Sequence, residues 1–165
     1  MPSRRSRHNR TAQVTELVYQ GIKLLIDGPQ GEVKEGTGVD GKPYRVVRTV
    51  PYGYVAPMSH EGKSLMVRGD DREDFDGYVA AGAKAERVRI AVQLHARNGH
   101  HNELKAIFGT ESDDEAKGVL SAHVAPRMVG RIGSLTVEDF KSQLAAYVAS
   151  EGAGKTPFRP ETDED

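Results

Sequence analysis

Asp70-Asp71-Arg72-Glu73-Asp74-Phe75-Asp76 is the stretch on which the fold and the chemistry of this chain turn, and it follows the segment Pro51-Tyr52-Gly53-Tyr54-Val55. It places five acidic side chains within seven residues. Like charges at that density repel one another, and folded chains tolerate them mainly where solvent or a divalent cation neutralises them. Asp71 and Glu73 are two apart, so in extended backbone they point the same way, and Asp76 joins them after a short bend. Three convergent carboxylates suit magnesium, which keeps some positions for water and substrate phosphate. A solvated acidic loop is the plainer alternative.

Outward from that stretch, the chain reads as β-rich and then helical. Val14 to Gln20 alternates weakly, Ile22 to Ile26 is a short apolar run, and Asp27-Gly28-Pro29 closes it with turn chemistry. Gly31 to Pro43 reads as a hairpin-like loop feeding a strand from Tyr44 to Val50. Further strands are expected at Lys63 to Val67, Gly77 to Ala80, Arg87 to Leu94 and Glu103 to Phe108. Ser112 with Glu115 makes a capping-box pattern that opens a helix running to about Val124, before Pro126. Thr136 with Asp139 opens a second, in which Val137, Phe140, Leu144, Tyr147 and Val148 share one face. Many short strands followed by two C-terminal helices suggest an α+β fold with a small closed or partly open β-barrel.

Composition excludes several classes of protein. A chain of 165 residues with 37% hydrophobic residues and a net charge of -1 supports one domain with a core. Its charge balance argues against nucleic acid and anionic membranes as partners. The absence of cysteine removes a disulfide framework, a thiolate zinc site and a cysteine nucleophile, so any metal must use oxygen or imidazole. No apolar stretch approaches the roughly 20 residues needed to span a bilayer, and the arginine-bearing start is not a secretory signal. Residues 1–12 read as a flexible basic arm, 13–150 as the domain and 151–165 as a flexible acidic tail.

The ordered motifs resemble a known family. Tyr52-Gly53-Tyr54-Val55, followed by the acid-x-acid-x-apolar-acid spacing from Asp71 to Asp76, is similar to family I inorganic pyrophosphatase, a soluble single-domain enzyme built on a closed β-barrel. Further pieces are Pro29-Gln30-Gly31, Lys34-Glu35-Gly36-Thr37, Asp40-Gly41-Lys42-Pro43-Tyr44, His101-Asn102-Glu103-Leu104-Lys105, Ser112-Asp113-Asp114-Glu115-Ala116 and Leu135-Thr136-Val137-Glu138-Asp139-Phe140-Lys141. This set resembles the divergent pyrophosphatase-like domains of tailed phages and mobile elements, and the likeness runs from about Val14 to Val148.

The resemblance implies catalytic and metal-ligating roles for Asp71, Glu73 and Asp76, with Glu103 as a further metal ligand. It implies that Lys34, Tyr52 and Lys105 reach phosphate oxygens. The implied function is Mg2+-dependent hydrolysis of pyrophosphate or a related phosphoanhydride. Two departures stand out: the family's further Asp in the strand from Ile90 to Leu94 corresponds here to Gln93, and the acid two residues after Lys34 is Gly36. They motivate two alternatives. One is a catalytically lapsed barrel serving as a phage virion or head-assembly component, with phage structural proteins as partners and an oligomer as its form. The other is a phosphate- or nucleotide-binding module. The expected location is the host cytoplasm or the phage virion.

Other signals carry less. Ala149 to Thr156 satisfies a relaxed phosphate-loop spacing, but it follows a helix where such a loop must precede one. His95, His100 and His101 match no zinc spacing. Arg68-Gly69-Asp70 is short enough to arise by chance, and Met58, Met66 and Met128 read as gap fillers.

Overall fold

Ile22, Leu24 and Ile26 are buried while Lys23 between them is exposed, the period-two pattern of a strand with one face on a core. The computed structural model describes residues 14–38, 41–69, 75–82, 84–94 and 103–151. The basic arm, the tail beyond Glu151, the acids from Asp70 to Asp74 and His95, His100 and His101 lie outside the described residues. Among the described residues, no helix is long and apolar enough to cross a membrane.

Seven strands form the main sheet: β1 (Thr15–Tyr19), β2 (Ile22–Gly28), β5 (Tyr52–Val55), β8 (Asp76–Val79), β10 (Glu103–Phe108), β9 (Arg87–Gln93) and β11 (Val129–Thr136), in that spatial order. Two small hairpins stand apart, β3 (Val33–Thr37) with β4 (Pro43–Val47), and β6 (Met58–His60) with β7 (Lys63–Leu65). Helix α1 (Asp113–Ser121) and a 3-10 turn (Pro126–Met128) precede β11, and α2 (Val137–Ala149) follows it. The chain is thus mostly sheet with two helices, a mixed α+β fold. β1 and β11 are the two ends of the ladder, and no pairing joins them among the described residues.

Both helix starts form as their caps require. Ser112 Oγ accepts from the Glu115 N–H at 3.0 Å, and Thr136 Oγ1 accepts from the Asp139 N–H at 3.0 Å. Five elements depart from the expectation. Tyr52–Val55 is a strand, buried on both faces, so its sequence shows no alternation. Gly31 to Pro43 is not only a loop, because Val33–Thr37 pairs with Pro43–Val47. Met58–His60 is a short strand, paired with Lys63–Leu65. The two helices do not run in succession: the glycine-bearing Val129–Thr136 pairs with β9 between them. α1 also stops at Ser121, short of Val124.

Registers across the sheet decide which side chains meet. Tyr54 stands opposite Asp76, Asp76 opposite Lys105, Lys105 opposite Ala91, and Ala91 opposite Ile132. One step along, Tyr52, Tyr78, Ile107, Arg89 and Ser134 form a second row on the same face. Glu103, Gln93 and Val129 begin a third. Close strand approach requires glycine at two points: a Cβ on Gly53 would collide with the Leu25 carbonyl oxygen, and one on Gly77 would lie 2.5 Å from the Ala106 carbonyl oxygen.

The sheet packs on both sides. On one, Val88, Ile90, Val92, Leu104, Ala106 and Phe108 meet Phe140, Leu144 and Tyr147 of α2, with Phe108 and Phe140 edge to face at 5.7 Å. On the other, Ala116 and Leu120 of α1 cover Ala91, Ile107 and Tyr78. Arg89, buried on this side, anchors the start of α1 through Asp113 at 3.1 Å and the Thr110 carbonyl at 2.8 Å. The acidic first turn of α1 suits that arginine and the helix dipole. Toward the start of β8 and β10 this face carries polar side chains: Asp76, Lys105, Glu103 and Gln93.

Candidate functional site

Asp76 opens β8 and Lys105 lies beside it on β10, because these two strands are the parallel pair of the sheet. Parallel pairing brings two strand beginnings together, so the loops that enter β8 and β10 reach the same end of the sheet. β9 runs antiparallel to β10, so its last residue, Gln93, arrives at that end as well. The loop before β8 is closed at its neck by the Phe75 N–H donating to the Val67 carbonyl at 3.2 Å. Asp71 and Glu73, which precede β8 in the sequence, lie outside the described residues.

Four of the residues singled out by sequence meet there. Tyr52 Oη donates to Asp76 Oδ2 at 2.6 Å, reaching it along the diagonal between neighbouring rows. Lys105 Nζ donates to Tyr52 Oη at 2.8 Å and to Asp76 Oδ2 at 3.3 Å, and it pairs with Glu103 Oε1 at 2.8 Å. An ammonium has three N–H groups, and these three acceptors engage them all. The side chains of Lys105 and Asp76 are only 6% and 5% exposed, so their charges are compensated by each other rather than by water. Burial alone would favour a neutral lysine, yet Tyr52 and Glu103 hold its proton above the ordinary lysine range.

Lys34 stands elsewhere. It is exposed on β3, opposite Val46, in the separate β3–β4 hairpin. The base of that hairpin is nonetheless tied to the site. Arg48 exchanges backbone hydrogen bonds with Gly31 and Glu32 at 2.8 Å each, and its guanidinium lies 4.3 Å from the centre of the Tyr52 ring.

Arg48, Tyr78 and His123 were not legible as site neighbours. Tyr78 packs at 4.8 Å on the Tyr52 ring and at 4.6 Å on the His123 imidazole, and its burial beside Tyr52 pushes its hydroxyl proton affinity up. His123 Nε2 accepts from the Thr49 N–H at 3.1 Å, so Nδ1 carries the proton and donates to the Val119 carbonyl at 2.8 Å. Burial, aided by nearby Arg48, lowers its pKa against the opposing pull of that carbonyl. The imidazole is thus a neutral brace under Tyr78. No sequence motif marks these three, because a backbone bond and ring stacking bring them together.

The donor set offered by Asp76 and Glu103 is oxygen only, which suits a hard cation such as Mg2+ or Mn2+. Beside it, the Gln93 amide oxygen is buried and has no hydrogen-bond partner among the described residues. An orphaned acceptor across from the Glu103 carboxylate fits a site made to face a cation or its waters. A second group, His60 with Glu61 and Glu151, gathers on the α2 side, its ligand atoms within 4.8 Å of one another. His60 Nε2 lies 3.8 and 3.7 Å from those carboxylates, and the two Glu side chains are exposed.

No curated protein and no solved structure matches the chain. The family model described as inorganic pyrophosphatase matches residues 7–145, a span that includes Tyr52, Asp76, Gln93, Glu103 and Lys105. The chain belongs to the inorganic pyrophosphatase family.

Proposed function

We propose that the protein is a divalent-cation-dependent hydrolase of pyrophosphate or a related phosphoanhydride. The observation that carries this reading is the meeting of Tyr52, Asp76, Glu103 and Lys105 at the end of the sheet where β8 begins. Asp76 and Glu103, with Asp71 and Glu73, would hold the cation, and Mg2+ is the ion the oxygen donors suit best. When bound, the cation supplies an activated water and shields phosphate charge.

The remaining work falls to the chain itself. Lys105 is held charged in a buried place, so a phosphate oxygen that reaches it meets a strong donor. Its three hydrogen bonds must first be rearranged, because they now go to Tyr52, Asp76 and Glu103. With Asp76 and Glu103 holding a cation, Lys105 would be released from both carboxylates and free to donate to substrate. Tyr52, held between Arg48 and Tyr78, keeps its hydroxyl aimed at the same point and donates to a phosphate oxygen.

The test is phosphate release from pyrophosphate by the purified full chain with Mg2+. Asp71→Ala and Asp76→Ala are each expected to lower the rate by about 100-fold or more, since a charge-stabilising contact is worth a few kcal/mol in the transition state. Wild-type release no higher than that of these variants would end the hydrolase reading. It would favour the second one, a lapsed family member serving as a structural component. The ion pairing of the site at rest favours that second reading, because Lys105 already lies against both carboxylates.

A further inference from the structure

We infer that Gln93 is a positioning residue for the cation, its amide oxygen accepting a hydrogen bond from a water that the cation carries. The inference rests on the proposed cation site and adds a residue that the donor set alone would not include. Gln93 ends β9 directly opposite Glu103 on β10 and Val129 on β11, and cross-strand partners share a face of the sheet. It is 9% exposed, and its Oε1 has no hydrogen-bond partner among the described residues. A buried amide oxygen left so costs about 1–3 kcal/mol, a penalty that a leucine of similar size would avoid.

Among the described residues, the cross-strand neighbours do not supply the missing donor. Val129 has an apolar side chain, Glu103 is an acceptor, and the three N–H groups of Lys105 are engaged by Tyr52, Asp76 and Glu103. A ligand or a water would bring the donor that these described neighbours lack. An ionised phosphate brings only acceptors, so it does not satisfy the Gln93 oxygen. A hydrated divalent cation does: it presents its metal to the carboxylate and the polarised O–H groups of its waters to the amide. Groups that orient a metal's ligands in this way typically carry 10- to 100-fold in affinity.

Mn2+ binding to the full-length chain, followed by the electron paramagnetic resonance of the free ion, tests this for wild type, Gln93→Leu and Gln93→Glu. Gln93→Leu is expected to bind Mn2+ about 10-fold more weakly while melting no lower than wild type without metal. Gln93→Glu, which keeps the acceptor and adds charge, is expected to bind at least as tightly as wild type. Equal Mn2+ affinity in wild type and Gln93→Leu would overturn the inference and leave the cation site standing. Absence of Mn2+ binding by wild type would instead overturn the cation site, and the role of Gln93 with it.

Discussion

The two faces of the central sheet are built from the same strands and obey opposite rules. On the α2 face, Val88, Ile90, Leu104, Ala106, Phe108 and Phe140 meet with no charge among them, and every contact is gained by leaving water. On the other face, α1 covers Ala91, Ile107 and Tyr78 and packs on β11, and the strand ends beyond it carry Asp76, Glu103, Lys105 and Gln93. A buried ion pair of this kind adds little net stability over an apolar replacement, whereas removing one partner is expensive. The α2 face therefore stabilises the fold, and the polar face uses that stability to hold charges where water cannot screen them.

That contrast can be broken from either side. The largest effect is expected for Lys105→Met, which leaves the Asp76 and Glu103 carboxylates without their buried ammonium. It should cost about 3–5 kcal/mol by urea denaturation and abolish pyrophosphate turnover. Added Mg2+ should restore part of the stability but none of the turnover. Phe140→Ala is the mirror case, with a comparable loss of about 3–5 kcal/mol from the fully buried ring. Its turnover per folded molecule, measured in the cold, should equal wild type. Loss of turnover in Phe140→Ala at full folding would show that the faces are not separable.

Tyr52→Phe sharpens the comparison further, since it keeps the ring between Arg48 and Tyr78 and deletes only the hydroxyl. A stability loss of about 1–3 kcal/mol is expected, with a clear drop in pyrophosphate affinity by calorimetry. The smallest effect concerns His123. Its pKa in the folded chain is lowered from the ordinary 6.5, chiefly by burial, so the unfolded chain takes up the proton first as pH falls. The contribution is complete above about pH 6.5 and is lost as pH falls from there through the lower folded value. Melting temperatures between pH 7.5 and pH 5 should drop less steeply in His123→Gln than in wild type; parallel curves would remove His123 from the account.

Much of the local structure was readable because its cause is local. Ser112 and Thr136 stop the preceding chain and accept the first free N–H groups of their helices, a matter of three residues each. β2 and β10 show their apolar runs openly. Tyr52–Val55 and Val129–Thr136 did not announce themselves, one because both its faces are buried and the other because glycines interrupt it. Lys34 carries the motif spacing but stands on an exposed hairpin, while Arg48, which belongs to no motif, reaches the Tyr52 ring.

By itself the sequence determined the residue types of the site and the spacing that marks the family: Tyr52, the acids to Asp76, Glu103 and Lys105. It also determined the helix starts and the absence of thiol chemistry. Only the tertiary structure decided which of these groups touch. Asp76 and Lys105 meet because β8 and β10 run parallel and in register, and Gln93 faces Glu103 because β9 returns antiparallel. Register is a property of paired strands set by the packing of both sheet faces, and a one-residue slip would send every one of these side chains to the other side.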